Sequence, residues 1–148
     1  MKHRIILTSL FFLINTILHG GRAITKEDIV NLQYVFSPAM SSDGDNIAYV
    51  LSVPRDDDEK PGPRHSQIWV KRMDDQKPVQ FTSSAYDSYT PKWAWSGKEI
   101  TFLSHRKEIS DRTQLFSIPV NGGEASLFLE HPTGIGSYRW SPDGAWIA

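Results

Sequence analysis

Five histidines, a run of four acidic residues and one Ser-His-Arg triplet are the side chains of this sequence that could do chemistry. A catalytic or metal-binding His needs partners at a defined spacing, either a nucleophile or further His, Cys and carboxylate ligands. His3 and His19 lie in an apolar N-terminal stretch, His65 and His131 in polar or Pro-containing loops, and His105 at a strand end. No two share metal-ligand spacing on one element, and none neighbours a nucleophile. Asp56-Asp57-Asp58-Glu59 is contiguous and runs into Lys60, whereas a calcium loop alternates its ligands and places a Gly at its sharp turn. The run therefore reads as a solvated loop. Gly20-Gly21, Gly122-Gly123 and Gly134-Ile135-Gly136 lack the spacing to a Lys that a phosphate loop requires, and read as turns. With no Cys in the chain, disulfides, thiolate metal sites and a Cys nucleophile are excluded. No catalytic, cofactor-binding or metal-ligating residue is assigned, no cofactor is expected, and the residues that would bind substrate are undetermined.

The N-terminus has a different character. Lys2-His3-Arg4 is a short positive segment, Ile5 to Leu18 is mostly apolar, and Gly21-Arg22-Ala23 places small residues at the −3 and −1 positions of a cleavage site. These are the three parts of a secretory signal peptide over residues 1–23, and the apolar run is shorter than the roughly 20 residues a membrane-spanning helix needs. The chain is expected to be exported, to the periplasm or beyond, with no membrane attachment after cleavage. Residues 24–148 carry a net charge of −4, which argues against nucleic acid or an anionic membrane surface as a partner.

What must position the remaining side chains is a repeat. Trp140-Ser141-Pro142-Asp143-Gly144 is a tight turn: Pro presets φ, Asp bonds its own backbone two residues on, and Gly accepts a positive φ. The pattern recurs at Met40 to Gly44 and at Trp93 to Gly97, and each copy continues into Ile and a small residue. Asp43 and Asp143 are thus turn formers rather than acid–base groups. Gly97 to Gly144, Ile68 to Leu115, Phe81 to Phe128 and Trp93 to Trp140 all keep a period of 47 residues. Gly44 to Gly97 is 53, and the excess of six falls in the charged, Pro-rich stretch from Val53 to Ser66, a surface loop.

The most complete unit predicts four strands, Tyr89 to Trp93, Glu99 to Ser104, Gln114 to Val120 and Ala125 to Glu130, with a hairpin at Asn121-Gly122-Gly123. Four strands per 40–50 residues describe a β-propeller blade, so the fold class is all-β, a partial propeller of about 2.3 blades over residues 24–148. Trp93 and Trp140 are expected to pack between neighbouring sheets, as most of the five Trp and five Tyr should pack in the core. Ahead of the first blade, Thr25 as N-cap with Glu27 and Asp28 in the first turn predicts a short helix from about Lys26 to Gln33, burying Ile29 and Leu32 along one edge.

The Trp-Ser-Pro-Asp-Gly signature resembles TolB-like, or PD40, propeller repeats. Over residues 24–148 the order of Thr25, Glu27, Asp28, Ser42 to Gly44, Ile47 to Val50, Ile68 to Val70, Phe81-Thr82, Pro91, Trp93, Phe102 to Ser104 and Arg106 is similar to the N-terminal propeller of acylaminoacyl-peptidase-like enzymes of the prolyl oligopeptidase family. That resemblance implies a propeller covering an α/β-hydrolase domain with a Ser-Asp-His triad, gating access of peptide substrates. The family's Gly-x-Ser-x-Gly elbow occurs nowhere in these 148 residues, so no catalytic residue carries over and the chain is expected to be inactive alone. Ser104-His105-Arg106 has His where the family often has Asp, which puts any pairing of Arg106 with that Asp in doubt. The chain is thus expected to be the opening of a longer serine peptidase, cut within its third blade. The alternative is a periplasmic TolB-like propeller that binds proteins without catalysis.

Overall fold

Each turn signature in the sequence opens a meander of antiparallel strands. The computed structural model describes residues 21–83 and 85–148. The expected signal peptide lies almost wholly outside them. After the helix α1 (Lys26–Val30) come β1 (Tyr34–Met40), β2 (Asn46–Val53), β3 (His65–Arg72) and β4 (Val79–Gln80), which form one four-stranded sheet in chain order. A second sheet follows the same plan with β5 (Ser88–Trp93), β6 (Glu99–His105), β7 (Thr113–Pro119) and β8 (Ser126–Leu129). The third unit begins with an isolated bridge between Trp140 and Ile147. The four strands expected for the second unit are thus present, each shifted by no more than two residues at either end.

The two sheets pack face to face, and their strands show it. In β6 the residues from Ile100 to Ser104 are all buried, because both faces of the second blade are covered. In β2 only Ala48, Val50 and Ser52 are buried, and the intervening residues are partly exposed, because one face is open. Ala48, Val50, Ile68 and Val70 of the first blade meet Ile100, Phe102, Phe116 and Ile118 of the second, and this is the main core. A smaller core joins Leu103 and Leu115 to Tyr138, with Trp140 and Ile147 of the third unit against it. Each fully buried aliphatic or aromatic side chain contributes about 1.5–3 kcal/mol.

The repeated Trp does what the repeat predicts. Trp93 Nε1 donates to the Ala39 carbonyl of the first blade at 2.9 Å, and Trp140 Nε1 donates to Thr101 Oγ1 of the second at 3.1 Å. Two other tryptophans depart from the core-packing expectation: Trp95 is 65% and Trp146 73% exposed. Trp95 still has a neighbour. A Cβ on Gly144, whose φ is +68°, would run into the Trp95 side chain.

The helix is shorter than expected, one and a half turns, and it buries no residue. Ile29 is 64% and Leu32 63% exposed. Its N-terminus is well capped, with Thr25 Oγ1 accepting from the Asp28 N–H and the Asp28 carboxylate accepting from the Thr25 N–H. Capping decided that a helix forms. Ile29 and, beyond the helix end, Leu32 stay largely exposed, so packing did not extend it.

Candidate functional site

In an up-and-down sheet alternate connections emerge at the same end, so each blade pair has a turn end and a loop end. The turn end carries the signature. Asp43 Oδ1 accepts from the Ser41 hydroxyl and from the Asp45 N–H at 3.0 Å, while Ser41 Oγ accepts from the Asn46 N–H at 2.9 Å. Ser141, Asp143, Ala145 and Trp146 repeat this network in the third unit. In the second unit Ser96 stands in for the Asp, its Oγ accepting from the Lys98 N–H at 3.2 Å. The Ser hydroxyls, and then the backbone amides, hold Asp43 and Asp143 below the usual carboxylate range. Both are turn formers, as read from the sequence. Between the first two turns lies an open cleft of about 540 Å³ lined by Ser41, Asp43, Asp45, Arg72, Asp74 and Asn121. Arg72 crosses it, donating from Nη2 to the Val120 carbonyl at 3.0 Å.

The loop end corrects the reading of His65. Far from lying in a solvated loop, it is the first residue of β3 and is 8% exposed. Its Nε2 lies 2.8 Å from Glu59 Oε1, and its Nδ1 4.0 Å from Asp87 Oδ1 on the connection between the blades. Asp87 Oδ1 also accepts from the Ser66 N–H at 2.8 Å. The Glu59 carboxyl is held below its ordinary value first by His65, with the Asp56 N–H and Arg55 adding to it. Among the described residues no hydroxyl or thiol hydrogen-bonds the His65 ring, so this carboxylate–imidazole–carboxylate row is a brace and not a nucleophile relay. His105 is exposed at the end of β6, and His131 Nδ1 hydrogen-bonds its neighbour Thr133. Among the described residues no group of three His, Cys or carboxylate side chains is placed to hold a metal.

Arg106, just past the end of β6, is held among aromatic rings. Its guanidinium lies 4.5 Å from the Phe116 ring centre and 4.9 Å from that of Tyr86, and Nη1 reaches the Ala125 carbonyl at 3.5 Å. Burial pulls its pKa below the usual Arg value, and Nε has no hydrogen-bond partner among the described residues. Cation–π attraction to the two rings favours the charged guanidinium in this partly buried place. Neither the His65 brace nor the Arg106 cage was legible in the sequence. Asp87 and Tyr86 lie on a connection whose course depends on how the blades pack.

The arrangement is a scaffold of stacked sheets with two differently built ends. No protein-family model matches the chain. It is 31% identical over 126 residues, 85% of its length, to the uncharacterised peptidase YuxL of Bacillus subtilis, and covers 18% of that protein. It is 28% identical over 123 residues to dipeptidyl-peptidase 5 of Porphyromonas gingivalis, covering 83% of this chain and 17% of the relative. The chain therefore spans less than a fifth of the length of the curated relatives it matches. Among solved structures, the AtxE2 isopeptidase matches 81% of the chain and 22% of its own, with a TM-score of 0.60 at 18% identity. The β-propeller domain of the trilobed protease from Pyrococcus furiosus matches 78% of the chain and 33% of its own, at TM-score 0.54 and 18% identity.

The fold is a β-propeller, and the sequence relatives are peptidases. A putative TolB from Agrobacterium tumefaciens shares the propeller fold, at TM-score 0.53 and 14% identity over 79% of this chain and 48% of its own. Among the described residues the propeller comprises two four-stranded sheets, followed by the isolated bridge between Trp140 and Ile147. Within it, the described residues include no helix long and apolar enough to cross a membrane.

Proposed function

We propose that this propeller is the opening part of an exported serine peptidase of the prolyl oligopeptidase family. In this reading it limits the access of peptide substrates to an α/β-hydrolase domain carried elsewhere in a longer polypeptide. The similarity to peptidases along more than four-fifths of the chain is the observation that carries the reading. The blades supply shape, and the reacting groups belong to the other domain. Export rests on the charge, apolar run and small residues of positions 1–23.

The test is a fluorophosphonate probe, which labels an activated Ser, applied to the product of the intact gene and to the 148-residue chain. Labelling of the first at a Gly-x-Ser-x-Gly serine, with none of the second, is the expected result. A gene whose product has further repeats but no labelled Ser overturns it. That outcome favours the second reading, a non-catalytic TolB-like binding propeller, which the likeness to the Agrobacterium structure supports at the level of fold. Intact mass of the exported product, expected to begin at Ile24, tests the signal peptide.

A further inference from the structure

The six-residue excess in the first blade has a use that the repeat itself does not require. It lengthens the β2–β3 ladder by one rung, Val53 opposite His65, and leaves a loop at residues 54–64. This loop is fastened to its own stem. Arg55 Nε donates to the Pro63 carbonyl at 2.7 Å, Glu59 Oε2 accepts from the Asp56 N–H at 2.9 Å, and Glu59 Oε1 meets His65. The last loop residue, Arg64, then points away from the loop toward the N-terminal segment.

Arg64 makes contacts that hold the chain more than 30 residues upstream. Nη1 donates to the Val30 carbonyl at 2.9 Å and Nη2 to the Leu32 carbonyl, while Nε donates to Ser52 Oγ on β2 at 3.3 Å. The guanidinium also lies 5.6 Å from the centre of the Tyr34 ring. Carbonyls at a helix C-terminus lack partners within the helix and carry partial negative charge, which a nearby cation satisfies. Helix α1 has no basic residue of its own in its last turn. Arg64 supplies that charge from the blade, and the fixed planar fork of its guanidinium reaches two carbonyls while its Nε stays on Ser52.

We propose that Arg64 is a clip that fixes the segment 24–33 as a rigid arm on the first blade, and that losing the clip releases the arm while leaving both blades folded. Two observations carry this. The arm has no buried side chain that would hold it by packing, and among the described residues the long-range side-chain hydrogen bonds it receives come from this one residue. Held in place, the arm presents Ile24, Ile29 and Leu32 as exposed side chains in a fixed position. Released, those residues no longer form a fixed surface.

Backbone ¹⁵N relaxation on the full chain reads this directly. In the unsubstituted chain, order parameters over residues 26–32 should match the strands, about 0.85, and in Arg64→Ala they should fall below about 0.6 with β2 and β3 unchanged. Arg64→Lys, which keeps the charge but not the fork, should lie between. Trypsin cleavage after Lys26 should accelerate in the same order. An arm that is already mobile in the unsubstituted chain overturns the proposal, and so does one that stays rigid in Arg64→Ala. Loosening of β2 and β3 together with the arm in both variants also overturns it, because Arg64 would then be part of the blade's core support.

Discussion

Two residues hold backbone conformations that their side chains disfavour, and they occupy the same place in the repeat. Ser37 has φ +51° and Thr90 φ +52°, each at the bulge of the first strand of its blade and each followed by a Pro. In the second blade the bulge has a use: the Thr90 carbonyl accepts from the Tyr138 hydroxyl of the third unit at 3.0 Å. Such a conformation costs about 1–3 kcal/mol, and Gly relieves most of it at a smaller entropic cost. Ser37 is exposed, so Ser37→Gly should stabilise the chain by about 1 kcal/mol, read as a higher urea midpoint at unchanged slope. A lower midpoint would mean that the Ser37 side chain has a contact that matters. Carboxylates set the response to acid. Asp28 is pulled to about 2 by Arg22 and the Thr25 cap, and Asp43, Glu59 and Asp143 are also held below their ordinary values. Groups with depressed values in the folded state contribute stability at neutral pH that is lost as pH falls through those values. The melting temperature should therefore be flat from pH 7 to about 5 and fall between about pH 4 and 2, the more modestly because these groups are exposed and screened. A fall already complete at pH 5 would point to a different titrating group.

At the scale of elements, the turns and the inter-blade tryptophans carry the repeat. Trp93→Phe keeps an aromatic ring against the core but trims the indole and removes the N–H that the Ala39 carbonyl accepts across the blades. It should cost about 1–2 kcal/mol, the price of a lost hydrogen bond with one partner left behind. Urea unfolding that matches the unsubstituted chain would show that water replaces the indole N–H there. Gly144 sits in its turn for two reasons, a φ of +68° and the Trp95 side chain where a Cβ would go. Gly97, at φ +66°, has open space around it. Gly144→Ala should therefore destabilise the chain more than Gly97→Ala, since only the first adds a collision to the strain.

For the whole molecule, the deciding fact is that equivalent positions of the two blades are unequally covered. Tyr49 opposite Trp69 in the first blade corresponds to Phe102 opposite Phe116 in the second. The phenylalanines are fully buried, with ring centres 6.2 Å apart. Tyr49 and Trp69 are only partly buried, and Trp69 Nε1 has no hydrogen-bond partner among the described residues. Phe102→Ala should cost about 3–5 kcal/mol, as for a core aromatic. Tyr49→Ala should cost well under half of that in this chain, measured by urea unfolding of both variants. Equal costs would mean that something covers the first blade's open face.

The sequence by itself determined the blades. The β-prone runs, the Ser-x-Asp-Gly turns and the Gly pair before β8 are local signals, because each depends on residues within a few positions of one another, and the 47-residue period shows the same local signals recurring. The helix start was legible for the same reason, through its capping box, but its end was not, because packing decides where a short helix stops. The tertiary structure alone decided which face of each sheet is covered. It also decided that His65 is buried between Glu59 and Asp87, and that Arg106 lies on Phe116 and Tyr86. Arg64 belongs with them, since the carbonyls it grips lie more than 30 residues away. These pairings join segments that come together only when the chain folds, and no periodicity in the sequence encodes them.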